Sequence, residues 1–300
     1  MSENLFGKLD KRYGPGSNQA KQTLMSLTPL EIDAELNRYG SKLVQALKVW
    51  RSSDIVHVLS REEPELFERT EYALGVQLFT EKSIRANKKS LIIAFSGRAN
   101  RLMIPPSLFL QHIPSNQFDV VMLWDSRRAH YLTGIDGYAQ DSIDLTFRLA
   151  RTIDLDRYQS IYCYGTSMGG FAALRAGMLL NADRAISIGG RFPWHINRLL
   201  DSSTKPIPAF DPLCACMMHH DCELICFYSA QQRGDVDDVA RLAQFCAVSR
   251  RPLTGFSSHN VIYPIWQSGT LRDFFGSIFD FVPRTTKPRK PVQWWSPRQL

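Results

Sequence analysis

From residue 54 onward the apolar positions of this chain gather into short, β-branched runs, and between them apolar residues recur at helical spacing. Runs at 55–59, 91–95, 120–124, 161–164, 185–188 and 224–228 read as buried strands, with 72–79 a weaker candidate. Helical intervals include 141–152, 170–180 and 236–247. Strands that alternate with helices imply a mostly parallel sheet covered on both faces, and the right-handed crossover rule then leaves a doubly wound α/β architecture. No internal repeat interrupts the pattern.

The two ends depart from it. Residues 1 to about 27 are polar and contain Gly14-Pro15-Gly16-Ser17-Asn18, which predicts a poorly ordered lead-in. Thr28-Pro29-Leu30-Glu31 then supplies an N-cap, a proline at the first helical position and an early acid, ahead of Ile32, Leu36, Leu43, Leu47 and Trp50 at roughly helical spacing. Beyond Pro283 the chain turns proline-rich and basic, and no core can form there. The expected division is a lead-in and helical extension over 1–53, one α/β domain over 54–283, and a disordered tail over 284–300.

Composition fits this division and narrows the function classes. A chain of 300 residues with 44% hydrophobic content can bury a substantial single core. Lys and Arg number 36 against 29 Asp and Glu, and the tail residues Arg284, Lys287, Arg289, Lys290 and Arg298 carry most of the excess. Without a helix-turn-helix, zinc-finger or aromatic-basic strand signature, that charge predicts no specific nucleic-acid partner; weak contact of the tail with acidic membranes or polyanions is expected instead. The first ten residues mix charges where a signal peptide needs an unbroken apolar stretch, and no run approaches the roughly 18 apolar residues of a membrane span, so a cytoplasmic location is expected. Six cysteines, at 163, 214, 216, 222, 226 and 246, do not form a disulfide framework and predict reduced thiols.

The chemistry points to one turn. An alcohol is a poor nucleophile, so a serine enzyme must expose its hydroxyl at a strand end, beside a base and beside donors that stabilise an oxyanion. The run 161–164 leads into Gly165-Thr166-Ser167-Met168-Gly169-Gly170 and then into the helix former Phe171-Ala172-Ala173-Leu174-Arg175-Ala176. Glycines two before and two after Ser167 remove the Cβ atoms that would collide where strand and helix approach. A glycine-rich strand-to-helix turn that cradles phosphate is the competing reading, but the dinucleotide fingerprint and the P-loop lysine are both missing.

With Ala94-Phe95-Ser96-Gly97 after an early strand and Ser258-His259-Asn260 after a late one, the elbow resembles the α/β-hydrolase superfamily over about residues 54 to 282. The phrases Trp124-Asp125, His130-Tyr131-Leu132-Thr133-Gly134-Ile135, Ser167-Met168-Gly169-Gly170 and Gly269-Thr270-Leu271 are similar to a bacterial branch associated with polysaccharide and cell-surface assembly clusters. The resemblance implies an α/β-hydrolase fold with Ser167 as nucleophile and a histidine base after the last strand. Of the seven histidines, His259 occupies that loop, whereas His57 is expected in a strand as a core residue and His195 comes too early, at a place suited to the substrate mouth. The acid is expected after the strand at 224–228, where Asp235, Asp237 and Asp238 compete. Asp235 follows a flexible glycine in the expected loop, Asp238 is second, and a helix N-terminus would welcome the other two carboxylates. The oxyanion donors are expected to be the amide of Met168 and that of Gly97 or Arg98. The Arg98 side chain is a further candidate for holding an anionic substrate group.

Cys214, Cys216, His219, His220 and Cys222 lie close together, but their spacing fits no common zinc motif, and neither metal nor cofactor is expected. The interval 189–224 suggests a short cap with Pro193, Pro206, Pro208 and Pro212 in it. The sequence thus predicts a serine hydrolase with a Ser167–His259–Asp235 triad, acting on a small-molecule or glycan acyl substrate as an esterase, thioesterase or O-acyltransferase. The alternative is a non-catalytic assembly or scaffold protein that keeps the hydrolase fold. Oligomeric state is not legible.

Overall fold

Eight strands form one sheet in the order β1 (Glu68–Ala73), β2 (Val76–Thr80), β4 (Phe118–Leu123), β3 (Ser90–Phe95), β5 (Ile161–Thr166), β6 (Arg184–Ile188), β7 (Glu223–Ser229) and β8 (Ser249–Leu253). This computed structural model describes residues 26–34, 37, 54–59, 61–191, 221–244 and 246–281. The β1–β2 and β2–β4 pairs are antiparallel and every other pair is parallel. The inner strands β3 to β6 are buried almost throughout, as their continuous apolar runs require. The outer strands β1 and β8 are partly exposed and carry Glu68, Arg69, Glu71, Arg250, Arg251 and Pro252, residues that discourage pairing with a further chain.

Helices cover both faces. Seven are used below: α1 (Asp54–Leu59), α2 (Pro106–Gln111), α3 (Ser142–Ile153), α4 (Met168–Leu180), α5 (Arg233–Leu242), α6 (Ile262–Gln267) and α7 (Leu271–Phe279). Alternation along the strands feeds two cores. Leu91, Ile93, Phe95, Ile161 and Cys163 pack with Leu145 and Leu149 of α3, Leu174 of α4 and Leu242 of α5. Ile92, Ala94, Tyr162 and Tyr164 pack on the other face with Phe109 of α2, Ile265 of α6, and Phe275 and Phe279 of α7. Leu27 and Ile32, from the segment before residue 54, join this second core.

One local expectation is met at atomic detail. The Thr28 hydroxyl accepts the Glu31 amide at 3.1 Å while the Glu31 carboxylate accepts the Thr28 amide at 2.8 Å, a reciprocal cap. Asp141 caps α3 through the amides of Ile143 and Asp144. Three expectations need correction. Residues 55–59 form a helix rather than a strand: Ile55 and Leu59, four apart, face the core, and His57 is exposed, not a core residue. The single candidate at 72–79 is a hairpin of two strands, turned at Gly75 with φ +93°, where a Cβ would press on the Trp124 carbonyl. The helix expected at 236–247 runs from Arg233 to Leu242. The expected cap falls mostly on 192–220 and the tail on 284–300, outside the described residues. Among the described residues no helix is long and apolar enough to cross a membrane.

Candidate active site

The register aligns the C-terminal ends of the parallel strands, with Phe95 level with Leu123 on one side and Gly165 on the other, and Thr166 level with Ile188. Such an edge is where open α/β sheets place ligands. Beyond Thr166 the chain reverses into α4 through Ser167, whose φ of +51° and ψ of −117° lie where side chains rarely go. A residue held there stores on the order of 1–3 kcal/mol. The turn is held by Ser167 N–H donating to the Ile188 carbonyl and Arg191 N–H donating to the Ser167 carbonyl, each at 2.9 Å. Close packing explains the glycines around it. A Cβ at Gly165 would run into the Gly169 carbonyl, and one at Gly169 into the Phe95 carbonyl at the end of β3.

The other two polar groups come from elements following β7 and β8. His259 Nε2 lies 2.9 Å from Ser167 Oγ, and its Nδ1 lies 2.9 and 3.0 Å from the two oxygens of Asp235. A carboxylate can only accept, so Nδ1 carries the proton and Nε2 presents its lone pair to the serine hydroxyl. Asp235 is fully buried, whereas the His259 side chain keeps 30% of its surface exposed, open toward solvent. The neighbouring Asn260 fixes this loop: its amide donates to the Met103 carbonyl at 2.8 Å, and its side-chain oxygen accepts the Tyr263 amide at the start of α6. Beneath the ring passes Gly189, with φ +54°, where a Cβ would approach His259 Cε1 to 3.1 Å.

Of the three competing aspartates, Asp235 is the one brought to the histidine. The reason first offered for it does not hold: it sits in the first turn of α5, not in a loop. Because the helix starts earlier than its apolar pattern suggests, a buried carboxylate lies at the favourable end of the helix dipole. Asp237 is exposed near Arg233, and Asp238 lies 3.6 Å from Arg191.

Arg191 was not singled out by sequence reasoning. Its guanidinium stands 3.2 Å from Asp235 Oδ1. It lies so close to the first turn of α5 that a Cβ at Gly234 would meet it at 2.5 Å. The available signal was a cation directly after Gly189-Gly190 at the end of β6.

On the oxyanion side, the Met168 amide occupies the first position of α4, where no intrahelical acceptor exists. The Gly97 amide is already engaged, donating to the Arg101 carbonyl at 2.8 Å. The Arg98 amide has no such acceptor among the described residues, which leaves it the available donor of the pair. Gly97 itself lies against the elbow, since a Cβ there would approach Ser167 Cβ to 3.3 Å.

Behind this loop stands the segment quoted for the resemblance. The Asp125 carboxylate accepts the amides of Arg127, Ala129 and Tyr131, bending a chain with positive φ at Arg128, His130 and Tyr131. The buried Tyr131 hydroxyl meets the Ser96 carbonyl at 3.0 Å and so braces the loop that follows β3. Burial holds the His130 imidazole below its ordinary value.

His195, Cys214, Cys216, His219 and His220 lie outside the described residues. Burial pushes the Cys222 thiol up to about 12, and among the described residues no three ligating side chains cluster for a metal.

No protein-family model matches the chain, and no curated protein does. Solved structures match in shape. The Pyrococcus horikoshii acylaminoacyl peptidase is similar over 79% of this chain and 44% of its own, at 11% identity and a TM-score of 0.50. The capsule O-acetyltransferase of Neisseria meningitidis serogroup A is similar over 71% of this chain and 94% of its own, at 12% identity and 0.49. An alpha-beta serine hydrolase homologue from Coxiella burnetii covers 72% and 97%, at 11% identity and 0.44. The likeness is one of fold, and with the strand order above it identifies the α/β-hydrolase fold.

Proposed function

We propose that the chain is a serine hydrolase that cleaves or transfers an acyl group through a covalent intermediate on Ser167. The observation that carries this reading is the unbroken hydrogen-bond chain from buried Asp235 through His259 to Ser167 Oγ, with the serine held in a strained turn at the open edge of the sheet.

In this mechanism Ser167 Oγ attacks an acyl carbonyl and its proton passes to His259 Nε2. The positive imidazolium that results faces the Asp235 carboxylate across Nδ1. The amides of Met168 and Arg98 receive the negative charge that grows on the carbonyl oxygen. Collapse of the tetrahedral intermediate expels the alcohol or thiol, which takes the proton from His259 and leaves an ester on Ser167. A second acceptor, either water or an alcohol such as a sugar hydroxyl, then gives its proton to His259 and attacks that ester, and Ser167 Oγ departs from the acyl carbon and takes the proton back from His259. Water makes the protein an esterase or thioesterase, and an alcohol makes it an O-acyltransferase.

Turnover of 4-nitrophenyl esters of graded acyl length tests the reading. The wild type is expected to release 4-nitrophenol with a burst near one equivalent and Ser167→Ala to release none. A folded wild type inert to every ester would favour the assembly-factor alternative.

A further inference from the structure

A cavity of about 680 Å³ opens over the ends of β3 and β4. Four arginines and one glutamate line it: Arg69, Arg98, Arg101, Arg128 and Glu71. Arg69 is bound to Glu31 at 3.1 Å. The guanidinium groups of Arg98, Arg101 and Arg128 meet no carboxylate at ion-pair distance among the described residues, whereas the adjacent Arg127 pairs with Asp136. Three arginines without a carboxylate partner on the wall of one space, beside a single glutamate, give it a positive potential that attracts a multiply charged anion. Trp124 adds an apolar wall that suits an organic ligand rather than a bare ion.

The cavity is tied to the nucleophile. Leu123 on its wall stands level with Phe95, and Phe95 with Gly165, so Leu123 lies two strands, about 10 Å at the usual strand spacing of about 4.8 Å, from the glycine that opens the elbow. The loop between them is fixed to the elbow: the Arg101 carbonyl accepts the Gly97 amide at 2.8 Å and the Thr166 hydroxyl at 3.3 Å. One short loop thus carries the Arg98 amide beside the elbow and places Arg98 and Arg101 on the wall of the cavity.

We propose that this cavity is an anion subsite that holds a phosphate group of the substrate while Ser167 attacks its acyl carbonyl. The proposal rests on the serine-hydrolase reading and narrows its substrates to phosphorylated esters or thioesters.

Two arms test it on the full chain. In calorimetry with inorganic pyrophosphate, the wild type is expected to bind more tightly than about 1 mM, and Arg101→Gln/Arg128→Gln to bind at least about tenfold more weakly. Should the double variant fail to fold, Arg128→Gln alone, at an exposed side chain, carries the same comparison. Absence of binding overturns the subsite, and so does loss of binding in the tail variant Arg289→Gln/Lys290→Gln with Arg101→Gln/Arg128→Gln unaffected. In the second arm, 6-acetoxyhexyl phosphate and 6-acetoxyhexanol differ in the phosphate alone. The wild type is expected to favour the phosphate by at least about tenfold in kcat/KM, and Arg101→Gln/Arg128→Gln to lose that preference. Equal rates on the two esters overturn the proposal. Pyrophosphate binding without turnover of either ester would retain the anion site and remove the catalytic reading instead.

Discussion

The sheet carries a buried charged network at each edge, and the two are built differently. At the N-terminal edge Lys89 donates to Asp119 at 2.8 Å and to the Glu81 carbonyl at 2.7 Å, and the Tyr158 hydroxyl donates to the other Asp119 oxygen at 2.9 Å. Lys89 and Asp119 are 0% and 3% exposed, so this network is closed to solvent. At the C-terminal edge Asp235 is equally buried, but its chain of partners leads outward through His259 to a serine held in a strained conformation. The first network ends in partners that satisfy it and the second ends in a hydroxyl that faces solvent-accessible space. Burial and hydrogen bonding of charge alone therefore say little about function; the strained, open end is what distinguishes the second network from the first.

The comparison predicts opposite signatures. Asp235→Asn frees the imidazole to take the wrong tautomer, and ester turnover is expected to fall by up to roughly 10⁴-fold, with a melting temperature close to wild type. Asp119→Ala strands the Lys89 ammonium in the core, and denaturant titration is expected to show a loss of about 3–5 kcal/mol. Turnover per folded molecule should stay near wild type. If Asp119→Ala does not fold, Lys89→Met/Asp119→Leu removes both charges and should recover most of the stability. A turnover loss in Asp119→Ala comparable to that of Asp235→Asn would erase the distinction between the two edges.

Smaller effects refine the open network. Arg191→Gln removes the cation beside Asp235 and is expected to lower kcat by roughly tenfold, about one charge-assisted hydrogen bond, with little change in KM. Arg191→Lys should retain most of the activity, which a purely steric role would not predict. Asp238→Asn weakens a 3.6 Å contact to the same arginine, whose side chain is 40% exposed. It is expected to cost under about 1 kcal/mol and to leave turnover within about twofold. An inactive Asp238→Asn beside an active Asp235→Asn would move the acid three residues along the chain.

The elbow was legible because its chemistry is local: a strand, two clearance glycines and a helix are contiguous in the chain. His259 was legible from its place after the last strand. Asp235 was reached by a mistaken route, since the apolar pattern of α5 begins only at Val236 and conceals a first turn formed by Arg233, Gly234 and Asp235. Residues 55–59 show the same limit, because a five-residue apolar run has no period that separates helix from strand. The choice between the Gly97 and Arg98 amides stayed open for another reason: whether an amide already has an acceptor depends on where the Arg101 carbonyl turns, which composition does not encode. The contact of Arg191 with Asp235, the bracing by the Tyr131 hydroxyl and the grouping of Arg101 and Arg128 with Arg98 around one cavity depend on segments distant in sequence.

The central claim is that Ser167 is the activated nucleophile. Incubation with a fluorophosphonate, followed by peptide mass spectrometry, tests it most directly, because the reagent phosphonylates only a serine whose hydroxyl is activated and releases fluoride. The expected result is one adduct per chain on the peptide that contains Ser167, absent in Ser167→Ala and strongly slowed in His259→Ala although both variants keep the wild-type melting profile. A folded wild-type protein that takes no label, or takes it on another residue with Ser167→Ala labelled as well, would contradict the account.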